Sequence, residues 1–426
     1  MRALASLALA TVALAGGALL AMAPPNDPAP AAANPLDQAR AFYGSQPAYL
    51  SPVVLGSDVP AGLPDLRAAT CGACHQDIYA EWAISTHARA WLDDLQFQAE
   101  LHKPRPDDGD VGWMCVNCHT PVEQQLERLV IGLRDGRLDQ PVYVDNPRFD
   151  PTLQTDAITC ATCHLRDGVI VGPYGDTSAP HATAKSDHLL TEEVCVRCHQ
   201  AEADFPEIVL SCSFSTGREF AASSANAEGK VCQDCHMPPI ERPLMAGFPD
   251  RPTRRHWFGG SLLPKKPAYE AELAPLRDVY PDGMTLAWEA APTQAAPGAE
   301  TTASVSYTNA EAGHRLPTGD PERFLLVTLQ AVTPDGAVLG EETHRIGTVT
   351  RWYPTIERIS DNRLLPGESR TLTLTFAAPS AGPLTLRATA SKHRITEENL
   401  AYHDLVGKVP AGRVFWTDER PLAVAP

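Results

Sequence analysis

Ten of the eleven cysteines stand in five copies of one pattern: two cysteines separated by two residues and followed at once by histidine. The copies are Cys71-Cys74-His75, Cys115-Cys118-His119, Cys160-Cys163-His164, Cys195-Cys198-His199 and Cys232-Cys235-His236; only Cys212, in LSCSFSTG, stands apart. Three chemistries use cysteines at this spacing. A disulfide framework suits an exported chain but gives no reason for a histidine after every pair. Zinc sites assembled from C-x-x-C units need the units in pairs, and five units do not pair off. The C-x-x-C-H unit is the attachment signature of haem c. Histidine fills 14 of 426 positions, so five such placements by chance are on the order of one in ten million. The haem reading therefore prevails.

Its chemistry accounts for the spacing. Two thiols add to the two vinyl groups of one haem, and the adjacent histidine lies under the ring as proximal ligand. The sequence thus predicts five covalently bound haem c groups between Cys71 and His236. Their proximal ligands are His75, His119, His164, His199 and His236. Much of this region's core is expected to be porphyrin rather than leucine.

Each iron has a sixth position. The stretch TCGACHQDIYAEWAISTH holds a second histidine, His87, and no Pro or Gly interrupts Gln76 to Leu101. Apolar residues at helical spacing predict one helix there, with a break near Ser85. On a continuous helix His75 and His87 lie about 18 Å apart, at about 1.5 Å per residue. Two ligands of one iron must each approach to about 2 Å. His87 as a ligand therefore reaches the iron of a neighbouring haem. The other histidines outside the motifs are His102, His181, His188, His256, His314, His344, His393 and His403. His102 ends the predicted helix, before Lys103-Pro104, and is a candidate ligand. His314 sits in AGHRLPTGDPERF, a loop able to bring a ligand to the haems from the C-terminal region. His344, His393 and His403 are expected in surface or structural roles. Met114 and Met237 abut motifs and are poorly placed to reach another face, so bis-histidine ligation and mostly low potentials are expected. Cys212 is expected as a small buried apolar residue. No catalytic residue is assigned.

The elements that must position these residues read as follows. Residues 1–23, one arginine before an apolar run ending Ala21-Met22-Ala23, have a signal-peptide layout or form an N-terminal anchor. Residues 24–64, rich in Pro and Ala, read as an arm, 65–260 as the pentahaem domain and 261–283 as a linker. Residues 284–426 lack cysteine and carry the alternating stretches TTASVSYTN, RFLLVTLQAV, TLTLTFAAP and PLTLRATA, a strand pattern. The expected fold is a mainly α multihaem cytochrome domain with little sheet, followed by an all-β, immunoglobulin-like sandwich. A net charge of -17 disfavours nucleic acid as a partner. Export points to a periplasmic or otherwise secreted protein, with no membrane contact beyond the possible anchor.

Several stretches together, CGACHQDIYAEWAISTH, CVNCHTP, CATCHLRDGVIVGP, APHATAKSDHLLTEEVCVRCHQ, KVCQDCHMP and RRHWFGG, resemble a family of periplasmic multihaem cytochromes. That family includes the tetrahaem electron carrier of ammonia oxidisers and, more distantly, hydroxylamine oxidoreductase. The resemblance covers roughly residues 65–260. It implies that His87 is a helix-borne distal ligand and that His181 and His256 are further ones. Related loops of the form G-H-x-x-P-T-G support His314. It also implies haems in close pairs along which electrons hop. The expected function is electron transfer between a redox protein donor and acceptor. The alternative is an oxidoreductase acting on a small nitrogen or sulfur compound at an open sixth position.

Overall fold

The computed structural model describes residues 34–175 and 178–425. The N-terminal segment 1–23 and the first part of the arm lie outside the described residues. From Pro35 to Pro426 the chain forms one compact unit. Among the described residues no helix is long and apolar enough to cross a membrane.

The chain is 27% helical and 31% strand, which overturns the expectation of a mainly α protein with little sheet. The largest element is a curled six-stranded sheet near the C-terminus. Its order is Gln294–Ala295, Gly412–Val424, Gly382–His393, Phe324–Val332, Val338–Arg351, Glu357–Asp361. A three-stranded sheet of Met284–Ala290, Glu300–Asn309 and Ser369–Ala377 shares a core with it. The alternation seen in sequence decides which side chains fill that core. Leu372, Leu374 and Phe376 point inward while Thr371, Thr373 and Thr375 face out, as a two-residue period requires.

The motif region is also less helical than expected, because an attachment motif fixes only a turn or two. The motifs lie on or beside Ala68–Gly72, Gly112–His119, Cys160–His164, Glu193–His199 and Cys232–His236. Between them the chain makes small sheets. Arg128–Leu133 pairs with Pro141–Asp145 across Asp135-Gly136, and Leu165–Arg166 pairs with Val169–Gly172 across Asp167-Gly168. All four of these turn residues have positive φ, the backbone a primed hairpin turn demands. The helix expected over 76–101 is two helices, Gln76–Ala83 and Leu95–Leu101. Ser85 is buried and its hydroxyl accepts from the Ala88 N–H, satisfying backbone that a continuing helix would have bonded.

Residues 35–64 and 261–283 pack on this framework. Tyr43, from Pro35–Gly44, is buried with Trp113 and Met114 of the second motif helix and Leu129 of the first hairpin. Leu262, Leu273, Leu276 and Tyr280 form a small core with Ile84 and Trp257.

Candidate functional site

Cysteines at i and i+3 and histidine at i+4 share one face of a helical turn, so each motif presents two thiols and an imidazole to the same side. All eleven cysteines are free, which leaves the disulfide framework without support. Among the described residues no three His, Cys, Asp or Glu converge as a metal-ion cage. Thiols of different motifs are near neighbours instead: Cys71 and Cys160, Cys118 and Cys198, and Cys195 and Cys232. The motifs therefore abut one another in an order different from that of the chain.

Three motif histidines each face a histidine from outside the motifs. His199 faces His87 with ring centres 6.3 Å apart, His164 faces His256 at 6.4 Å, and His236 faces His314 at 6.3 Å. These spacings test whether the residues fit a haem iron. Metal–nitrogen bonds of about 2.0–2.1 Å, with about 1.1 Å from nitrogen to ring centre, place two rings trans across an iron about 6.4 Å apart. All three pairs fit.

The imidazoles are also in the chemical state that ligation needs. Nδ1 of His75, His119 and His164 lies 2.8, 2.7 and 2.9 Å from the carbonyls of Leu244, Ala90 and Val171, and Nδ1 of His236 meets the Gly259 carbonyl. His256 and His314 turn Nδ1 to the carbonyls of Arg254 and Arg315, both at 2.9 Å. A carbonyl only accepts, so Nδ1 carries the proton and Nε2 keeps its lone pair for a metal. Burial, reinforced by neighbouring imidazoles, pushes His87 down to about 3 and His199 and His256 to about 4. Neutral rings are the ligating form.

Local structure explains each placement. His87 lies in the irregular stretch after Ala83, where the helix break turns it toward His199 rather than His75. His256 is held by Glu81, a residue the sequence did not single out. Glu81 accepts from Arg242 at 2.7 and 3.0 Å, from Arg255 at 2.5 Å and from the His256 N–H at 2.8 Å. Arg254 pairs with Asp234 at 2.8 Å, so the basic cluster around His256 is neutralised by its neighbours. Phe258 lies between the two distal rings, 4.5 Å from His87 and 5.6 Å from His256. His314 is carried by a loop whose Gly313 sits tightly against its neighbours. An added Cβ would lie 3.1 Å from Ala225 and 3.3 Å from Phe220. Asn309 donates to the His314 carbonyl at 2.9 Å and steadies that loop.

The remaining candidates are placed elsewhere. His102 is exposed with Nδ1 on the Gln98 carbonyl, and His181 lies beside the Ala182 carbonyl. Among the described residues neither is brought opposite a motif histidine. His188 sits near Glu193, His344 accepts from or donates to Tyr307, His393 meets Ser391, and His403 meets Glu100. Cys212 is half-buried rather than buried, and desolvation, with Cys115 nearby, holds its thiol protonated. His119 stacks on Phe97 at 3.6 Å. Among the described residues neither His75 nor His119 makes a ring contact with another histidine.

With this geometry in hand, the comparisons with known proteins can be read. Residues 70–138 match the family model described as cytochrome c554 and c-prime. The chain is similar to the crystal structure of a penta-haem cytochrome c552 from Thermochromatium tepidum, with a TM-score of 0.57 at 19% identity over 85% of this chain and 100% of that one. The CARDB domain of the PF1109 protein from Pyrococcus furiosus, at 14% identity over 33% of this chain and 85% of that one, gives a TM-score of only 0.18. The PapD-like domain of human CEP192, at 7% identity over 34% and 85%, gives 0.15. Scores so low say nothing of the fold. No curated protein matches the chain. The family match and the fold likeness, together with the five attachment motifs, support a multihaem c-type cytochrome with covalently bound haem c.

Proposed function

We propose that the chain is a periplasmic pentahaem cytochrome that passes electrons along closely packed haems between redox protein partners. The three histidine pairs at 6.3–6.4 Å carry this reading. Each haem supplies one-electron chemistry when bound. The cysteines of the five motifs fix five such groups, and His75, His119, His164, His199 and His236 hold them from below. His87, His256 and His314 close three irons to exogenous ligands and tie distant segments together. The nearness of Cys71 to Cys160, Cys118 to Cys198 and Cys195 to Cys232 supports short gaps between neighbours. The likeness of residues 70–138 to a cytochrome family supports kinship with the carriers named above.

A second reading, an oxidoreductase for a small nitrogen or sulfur species, is favoured by one observation. Among the described residues, no histidine ring faces His75 or His119 as one faces each of the other three. Electron paramagnetic resonance of the oxidised protein separates the two. Transfer alone predicts low-spin iron throughout; a high-spin signal equal to one haem or more that shifts on adding nitrite, hydroxylamine or sulfite would establish the enzyme instead.

A further inference from the structure

Between the second motif and the C-terminal sheets lies a buried group of charges that axial ligation does not use. Asp94 caps the helix Leu95–Leu101, pairs with Lys265 and neighbours His119 electrostatically. Arg394 follows the strand Gly382–His393 and is 7% exposed. Its Nη2 donates to the carbonyls of Leu263 at 2.9 Å and Pro264 at 3.2 Å, but its Nη1 is enclosed with no partner. Arg323 completes the set as a neighbour of both Lys265 and Arg394.

Against these three cations stand few anions. Burial pushes the Asp320 carboxyl up, with Arg323 opposing it. Burial and the Asp320 charge push Glu322 to about 8, so it is protonated at neutral pH. Asp94, paired with Lys265, is held in its charged form, so the cations still outnumber the carboxylates that face them. Buried positive charge in excess of its partners is strongly destabilising. A guanidinium with a free nitrogen matches the paired oxygens of a carboxylate or oxoanion.

We propose that Arg394, Lys265 and Arg323 form a buried oxyanion site beside the haem of Cys115, Cys118 and His119. The anion is either a propionate of that haem or a free small oxoanion. Arg323 also lines a small pocket with Thr318, Asp320, Arg358 and Arg363. Either way the C-terminal sheets, through Arg323 and Arg394, bear on the second haem. Cations there favour its reduced, more negative state. The proposal rests on haem attachment at the second motif.

The test uses the full holoprotein carrying Arg394→Gln, Arg394→Lys or Lys265→Met. Intact mass first counts the haems; a wild type lacking the second haem would sink the attachment reading rather than this one. Spectroelectrochemical titration should then show one haem in Arg394→Gln harder to reduce by at least tenfold in its equilibrium, 59 mV for one electron, with partial recovery in Arg394→Lys. Titration of the Soret band with nitrite and with sulfite identifies the anion. No response in the wild type assigns the propionate; a wild-type response weakened at least tenfold in Arg394→Gln assigns a free oxoanion. Should Arg394→Gln fail to accumulate, Lys265→Met carries the same measurements. Full haem content with unchanged potentials and no altered anion response would overturn the proposal.

Discussion

Replacing Glu81 by alanine should damage both stability and one haem's ligation. Glu81 and Arg242 expose only 6% of their side chains each. Removing one partner of such a pair costs about 3–5 kcal/mol, because the other charge is stranded away from water. Arg255, with 31% of its side chain exposed, can rehydrate and adds at most about 1 kcal/mol. At about 1.4 kcal/mol per decade, the folded population falls by roughly two to four orders of magnitude relative to the unfolded. The second consequence is chemical. The His256 N–H loses its acceptor, so His256 drifts from His164 and one iron becomes high-spin. Glu81→Gln keeps an oxygen for that N–H and should retain low-spin iron while still losing most of the stability. Acid sensitivity supplies a further check. Burial opposes the Glu81 charge, but Arg242, Arg255 and the His256 N–H outweigh it and depress its pKa. The pairing therefore stabilises the fold above the unfolded carboxylate pKa, about 4.3, and is lost as pH falls through the lower folded value. Wild type should thus lose more stability in that range than Glu81→Ala. Guanidinium unfolding followed at the Soret band, with paramagnetic resonance of the oxidised protein, measures all of this. A stability change under about 1 kcal/mol with an unaltered low-spin spectrum would refute the reasoning.

Three other outcomes are expected. His87→Ala should convert one haem to high spin with every haem still covalently attached; an unchanged spectrum would remove the pairing with His199. Gly313→Val should drive the loop off Ala225 and Phe220 and open the iron of the fifth motif, visible as a new high-spin signal, whereas Gly132→Ala, where nothing lies within 4 Å of an added Cβ, should not. Because Glu322 is raised to about 8 in the fold, it holds a proton that the unfolded chain releases. Glu322 alone should therefore contribute a fall in stability as pH rises from about 4.5 to about 8, by at most about 1.4 kcal/mol per pH unit, and the difference between wild type and Glu322→Gln in denaturant titrations should show that contribution.

The attachment residues were legible in sequence because covalent chemistry fixes their spacing locally. Distal ligands come from far along the chain, so spacing could only nominate them. For His87 the nomination rested on a continuous helix that in fact stops at Ala83, yet His87 still lies opposite a neighbouring motif's histidine. His314 could be nominated because a histidine between Gly313 and Pro317 implies a shaped loop. Glu81 could not be, since its partners Arg242 and Arg255 are more than a hundred residues away. The excess of helix expected in the motif region came from passing over local signals. Asp135-Gly136 and Asp167-Gly168 carry the same Asp-Gly hairpin signal as the Asp335-Gly336 noted in the C-terminal region. The C-terminal strands were readable because Leu372, Leu374 and Phe376 alternate cleanly with threonine. The packing of residues 35–64 was not, because the buried Tyr43 and Ala39 carry no periodic signature in a Pro- and Ala-rich segment.

The most direct test of the histidine-pair account is an anomalous-difference map of the holoprotein at the iron edge. Five iron peaks are predicted, with one midway between each of His87 and His199, His164 and His256, and His236 and His314. Fewer than five peaks, or any of these three pairs without an iron between its rings, would contradict it.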